Sequence, residues 1–220
     1  MYNILGGIMR NYFNNILNKK FITSIMLLLI GQGILFVVVK LFQSNYHTFN
    51  YIIDNKIPFI PQMIIIYNLF YPMIFISFYN IFNHDKDTYY KGIIAGILGF
   101  IIADIIFLTY PVVMIRPDIF NLNIAPINRF IIYLTYTLDD PAINCFPSIH
   151  CLFCFQAIYS TFKCSNYNNK YKIITIIILL LIALSTLLVK QHYLFDVIGA
   201  FIVCIITNLI TTFIYKKIKH

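Results

Sequence analysis

His192 and Asp196 stand four residues apart in the run Lys190-Gln191-His192-Tyr193-Leu194-Phe195-Asp196, at the junction of two long apolar stretches. In a helix that spacing puts both side chains on one face, where a carboxylate would fix the orientation of the imidazole and raise its basicity. Two further polar clusters border apolar stretches: Arg116-Pro117, and Phe146-Pro147-Ser148-Ile149-His150. Two imidazoles, a guanidinium and an ammonium form a set suited to phosphate. One neutral imidazole, His192, can attack phosphorus while Asp196 holds its tautomer and stabilises the developing positive charge. The other, His150, can protonate the departing oxygen, a role worth ~10²–10⁴-fold in rate. Arg116, Ser148 and Lys190 are the candidate phosphate-binding residues, aided by free N–H groups at helix N-termini. No carboxylate cluster shows metal-ligand spacing, so neither a metal nor another cofactor is expected.

Each of these residues also has a plainer role available. Arg116 and Lys190 can snorkel from span ends, and Ser148 can cap a helix. Asp196 at a span mouth is costly to bury alone, so pairing with His192 is its best structural explanation too.

The elements that must position these residues are membrane helices. The chain is 60% hydrophobic and 11% charged, with all eight acidic residues aspartate, and its mean hydropathy is +0.80. Soluble domains carry about 25% charged residues. The pattern predicts one all-α domain over residues 1–220: a polytopic membrane bundle of six transmembrane helices. Apolar runs place the spans at about 21–42, 57–82, 92–110, 146–162, 173–189 and 193–215. Residues 1–20 read as an interfacial helix, with Ile4, Leu5, Ile8, Tyr12 and Phe13 at helical spacing. The first span is too long for a signal-peptide core and has no cleavage site after it, so it reads as retained. The stretch Phe130–Tyr136 between spans three and four is apolar and reads as dipping into the interface.

Six spans put both termini on one side. Of the sixteen Lys and Arg residues, only Lys40, Lys56, Arg116, Arg129 and Lys190 fall on the opposite side. The positive-inside rule then places the termini in the cytoplasm and all three polar clusters on the non-cytoplasmic face, in the cell membrane. The net charge of +8 is scattered between apolar runs. It therefore reads as topology and anionic-lipid contact, with the bilayer and a lipid phosphate as partners and no nucleic acid. Cys145, Cys151, Cys154, Cys164 and Cys204 read as small membrane-buried side chains, since no second pair or histidine follows Cys151 and Cys154 at zinc spacing. Asp104, inside span three, has no partner evident from sequence.

At its polar clusters the chain resembles the type 2 phosphatidic acid phosphatase superfamily, which includes inositol phosphorylceramide synthases. The family carries Lys-x6-Arg-Pro, then Pro-Ser-Gly-His, then Ser-Arg-x5-His-x3-Asp. Arg116-Pro117 matches the end of the first, Pro147-Ser148-Ile149-His150 matches the second with Ile for Gly, and Ser185, His192 and Asp196 match the third. The resemblance implies His192 as a nucleophile forming a phosphohistidine, Asp196 as its orienter and His150 as general acid. Two motif cations are replaced, by Thr109 and Thr186, and Lys190 is a candidate to restore one charge. The expected activity is metal-independent hydrolysis of a lipid phosphomonoester or diphosphate. Two alternatives stand beside it: a head-group phosphotransferase of the synthase-like branch, and a non-enzymatic lipid scramblase or transporter.

Overall fold

The computed structural model describes residues 18–49 and 51–218; the interfacial helix expected over 1–20 lies almost wholly outside them. Among the described residues the protein is all-helical, with one isolated bridge between His47 and Val112 and no strand. In chain order the helices are α1 (Lys19–Lys40), α2 (Ile52–Lys56), α3 (Met63–Asn68), α4 (Phe70–His84), α5 (Lys86–Thr109), α6 (Pro126–Leu138), α7 (Ile149–Lys163), α8 (Asn169–Leu188) and α9 (Leu194–Ile218).

Polar side chains set several of these starts. Asn18 accepts from the N–H of Lys20 and Phe21, Asp85 from Thr88, Ser148 from Cys151 and Asn168 from Lys170, each satisfying a donor the first turn leaves free. Asp85 alone separates α4 from α5, so the charged run around Lys86, Asp87 and Lys91 is helix where the sequence reads as loop. The second apolar run becomes helical only at Met63, because 57–62, with Pro58 and Pro61, forms a loop. Its helix breaks at Leu69. Pro72 has no N–H to offer the carbonyl of Asn68, four residues earlier, and the break falls at that gap.

Four helices, α1, α5, α8 and α9, are long and apolar enough to cross a membrane. They turn apolar side chains such as Leu27, Ile34, Ile105 and Leu209 outward. The centre is α7, which packs against α4, α5, α8 and α9 and buries Cys151, Leu152, Phe153, Cys154 and Ala157. Close approach of α5 depends on Gly92, where a Cβ would lie 2.6 Å from Ser160 Oγ; small residues serve this purpose between membrane helices. Several polar groups inside the bundle are paired across helices. Gln156 and Asn208 exchange amide hydrogen bonds of 3.2 and 2.8 Å between α7 and α9. Asp104 finds the partner that the sequence did not reveal: Gln32 Nε2 of α1 donates to its Oδ1 at 3.1 Å.

The bundle has two distinct ends. At one, Asp85 accepts from Ser165 and His84 lies against Tyr167. At the other, Lys40 bonds Asp139 and Pro141, and Lys190 bonds the carbonyls of Asp54 and Ile57 at the end of α2. Arg116, His150 and His192 belong to this second end, beneath α6.

Candidate active site

The turn after α8 aims His192. Lys190 adopts φ 53°, its N–H bonds Leu187 O at 3.2 Å, and the N–H of Gln191 returns to Thr186 O at 2.9 Å. These two bonds make a Schellman motif. Glycine is the usual occupant of that left-handed position, which costs another residue roughly 1 kcal/mol. The Lys190 side chain offsets the cost by donating from Nζ to Asp54 O at 3.0 Å and Ile57 O at 2.7 Å. Asp54 completes the junction by accepting the Leu194 N–H on Oδ1 at 2.8 Å, which caps α9 from the distant short helix α2.

Helix α9 begins at Leu194, so Asp196 lies in its first turn, on the face below His192. Asp196 is fully buried, and its Oδ2 accepts from His192 Nδ1 at 3.3 Å and from the Tyr193 N–H at 2.8 Å. A carboxylate can only accept, so Nδ1 carries the proton and the Nε2 lone pair of His192 is free. Burial pushes His192 down to about 4; Asp139 opposes the shift and Arg116 adds to it. The imidazole is therefore neutral near pH 7.

Two bonds bring His150 to the same place. The Ser148 N–H reaches Asp196 O at 3.1 Å, docking the start of α7 on α9. His150 then faces His192 with ring centroids 5.9 Å apart. Its Nε2 hydrogen-bonds the Tyr67 hydroxyl at 3.0 Å, and its ring rests against Phe70 at 4.7 Å.

Arg116 is held from three directions. It donates to Tyr136 O at 3.1 Å, Asp139 Oδ2 at 2.6 Å and Gln191 Oε1 at 2.6 Å, and it lies over the Tyr136 ring. Its Nε has no partner among the described residues. Asp139 also bonds Lys40 at 3.3 Å, so the carboxylate keeps a cation if Arg116 turns to another anion.

Two cavities meet at His192. One, of about 290 Å³, is cationic and lined by Arg116, Lys190, Asp54 and His192. The other, of about 310 Å³, is lined by His150, His192, Tyr67 and Asp139 together with the apolar Leu29, Phe36, Phe70 and Phe153. Five of the six candidate residues, Arg116, His150, Lys190, His192 and Asp196, gather here. Ser148 lies beside them but is fully buried, lines neither cavity, and uses its hydroxyl to cap α7. Thr186, at a missing motif cation, is buried with its hydroxyl on Ala183 O, while Thr109 bonds its own helix.

Tyr67, Asp139, Gln191 and Asp54 are contributors that the sequence did not single out for the site. Tyr67 and Asp54 come from segments with no motif spacing to the histidines. Gln191 sits inside the charged run itself and carried the one available signal.

Cys145, His192 and Asp196 place three possible metal-ligand atoms within 4.8 Å of one another. Burial first, and Asp196 next, push the Cys145 thiol well above its ordinary range, and it donates to Ala142 O at 3.2 Å. With the thiol donating to Ala142 O and the carboxylate already accepting from His192 and the Tyr193 N–H, these groups are engaged with one another and with backbone, and the set fits an ion poorly.

A histidine bonded to a buried aspartate thus faces a second histidine beside an arginine-lined cavity in a helical bundle. The family model of the PAP2 superfamily matches residues 90–219, more than half of the chain, and the protein belongs to that superfamily. Comparison with curated proteins and comparison with solved structures each gave no match. Members of the superfamily are phosphatases and phosphoesterases, so membership points to phosphatase-type activity on phosphate esters. The four apolar helices fit an integral membrane protein with a lipid-associated substrate.

Proposed function

We propose that the protein is a six-span membrane enzyme that hydrolyses the phosphate ester of a lipid through a phosphohistidine. The observation that carries this reading is the His192–Asp196 pair, bonded at 3.3 Å and facing His150 at the junction of the two cavities. His192 Nε2 forms a bond to phosphorus as the P–O bond to the lipid breaks, and His150 gives a proton to the departing lipid oxygen. Water then attacks the phosphohistidine. Its proton passes to His150, the P–N bond breaks, and inorganic phosphate leaves. Arg116 supplies charge-assisted hydrogen bonds to the phosphoryl oxygens. Lys190, with two of its three donors already on carbonyls, adds a positive charge at the cavity wall. Tyr67 fixes the His150 ring.

Two features support the span count beyond the four long helices. Helices α3 and α4 run almost continuously from Met63 to His84, interrupted only at Leu69. Helix α7, with 15 residues, is about 22 Å long against a hydrocarbon thickness of about 30 Å. It would cover its share of the membrane with the site sunk beneath the outer surface. With this arrangement the charge count keeps the termini cytoplasmic and the site on the non-cytoplasmic side.

Phosphate release from a panel of purified lipid phosphates, in the presence of chelator, tests the reading. Phosphate should be released from at least one lipid, and His192→Ala and His150→Ala should each reduce the rate by at least a hundredfold. Parental rates in either variant would rule the mechanism out. Transfer of the phosphoryl head group to an added lipid alcohol, instead of to water, would favour the transferase. Movement of lipid between leaflets that survives His192→Ala would favour the scramblase.

A further inference from the structure

The guanidinium that the phosphatase reading assigns to the substrate already holds an anion of the protein itself. An arginine has five N–H groups. In Arg116 one terminal nitrogen gives both of its own away, to Asp139 Oδ2 at 2.6 Å and to Gln191 Oε1 at 2.6 Å. The other terminal nitrogen donates to Tyr136 O at 3.1 Å, and Nε is buried. A bidentate contact to a phosphoryl group needs two parallel N–H groups, so one of these partners must leave. Tyr136 O belongs to the backbone of α6, and Gln191 lies in the Schellman turn that aims His192. Asp139 is freer. Its side chain is 32% exposed, and its second oxygen, Oδ1, already meets Lys40 Nζ at 3.3 Å. It also stands where phosphate must come: Asp139 lines the same cavity as His150 and His192, and among the charges acting on His192 its own is the largest.

We propose that Asp139 stands in for the substrate in the free protein: its carboxylate holds the Arg116 donor that a phosphoryl oxygen takes, and it passes wholly to Lys40 when phosphate arrives. On the return step the carboxylate reclaims Arg116 and helps inorganic phosphate to leave. Asp139 acts through Arg116 and Lys40 and is a positioning residue that sets phosphate affinity. The inference rests on the phosphatase reading, in which Arg116 binds phosphate, and adds the exchange that makes this binding reversible.

Calorimetric titration of inorganic phosphate into the purified full chain tests the exchange, with lipid turnover measured in the same preparation. Asp139→Asn keeps the size of the side chain and removes its charge. It should tighten phosphate binding by about threefold to tenfold and lower KM for the lipid phosphate alongside. Lys40→Met leaves Arg116 as the one cation for Asp139 and should weaken phosphate binding by about threefold. The double variant should match Asp139→Asn, because Lys40 acts through the carboxylate alone. Binding in Asp139→Asn no tighter than in the parent would mean that the carboxylate orients Arg116 for phosphate, and would overturn the inference. A Lys40→Met loss of equal size in the Asp139→Asn background would overturn it too, by showing that Lys40 meets phosphate directly. Either result leaves the phosphatase reading intact where the parent turns lipid over. No turnover of any lipid phosphate by the parent would overturn both.

Discussion

The proposed mechanism rests on His192, and its surroundings suit a histidine to act as a nucleophile. Asp196 is buried and bonded both to the ring and to the Tyr193 N–H, so its position is fixed before substrate arrives. Because burial holds the imidazole down to about 4, it stays neutral through mildly acidic pH. An ordinary histidine is about 90% protonated at pH 5.5. The expected outcome is that kcat/KM, corrected for ionisation of the phosphate substrate, does not fall between pH 7 and pH 5.5, where protonation of the general acid His150 can only raise it, and that it declines only below about pH 4. A tenfold loss by pH 5.5 would show that the ring titrates as if exposed. The same shift has a stability consequence. The unfolded chain takes up a proton near pH 6.5 and the folded one does not, so this group's contribution is complete above that pH and declines as pH falls toward 4. At this scale the sequence was informative, since His150, His192, Asp196 and Arg116 carry recognisable types and spacings. Tyr67 on His150 and Asp139 on Arg116 were not legible, because each contact joins residues brought together only by folding.

At the scale of elements, the turn between α8 and α9 decides where His192 sits. Lys190 holds a left-handed conformation that glycine adopts without cost, and it also lines the cationic cavity. These two roles can be separated. Lys190→Gly should keep the Schellman turn and leave Tm within a few degrees, while KM for a lipid phosphate rises about tenfold through loss of one charge near the phosphate. An unchanged KM would make Lys190 an anchor for the end of α2 alone. The apolar run lengths anticipated the long helices α1, α5, α8 and α9 well. Boundaries set by single side chains were harder to read. Pro72 splits α3 from α4, and Asp85 turns an apparent charged loop into the start of α5. The relation of Gln32 to Asp104 depends on the facing of α1 against α5, which hydropathy does not encode.

At the scale of the whole molecule, the site is assembled from both halves of the chain. The superfamily match covers residues 90–219 and contains the two histidines, Asp196 and Arg116. Tyr67, Asp54, Lys40 and Gln32 come from before it, and they hold His150, cap α9, bridge Asp139 and line the inner cavity. The first helices thus shape a candidate site whose histidines the later helices carry. The most direct test of the central claim is chemical trapping of the intermediate. Purified protein is mixed briefly with a turned-over lipid carrying a radiolabelled phosphate, quenched, and mapped for the labelled residue. An acid-labile, alkali-stable label on His192, absent from His192→Ala, is the predicted result. A label on another residue, or phosphate release by His192→Ala at the parental rate, would contradict the account.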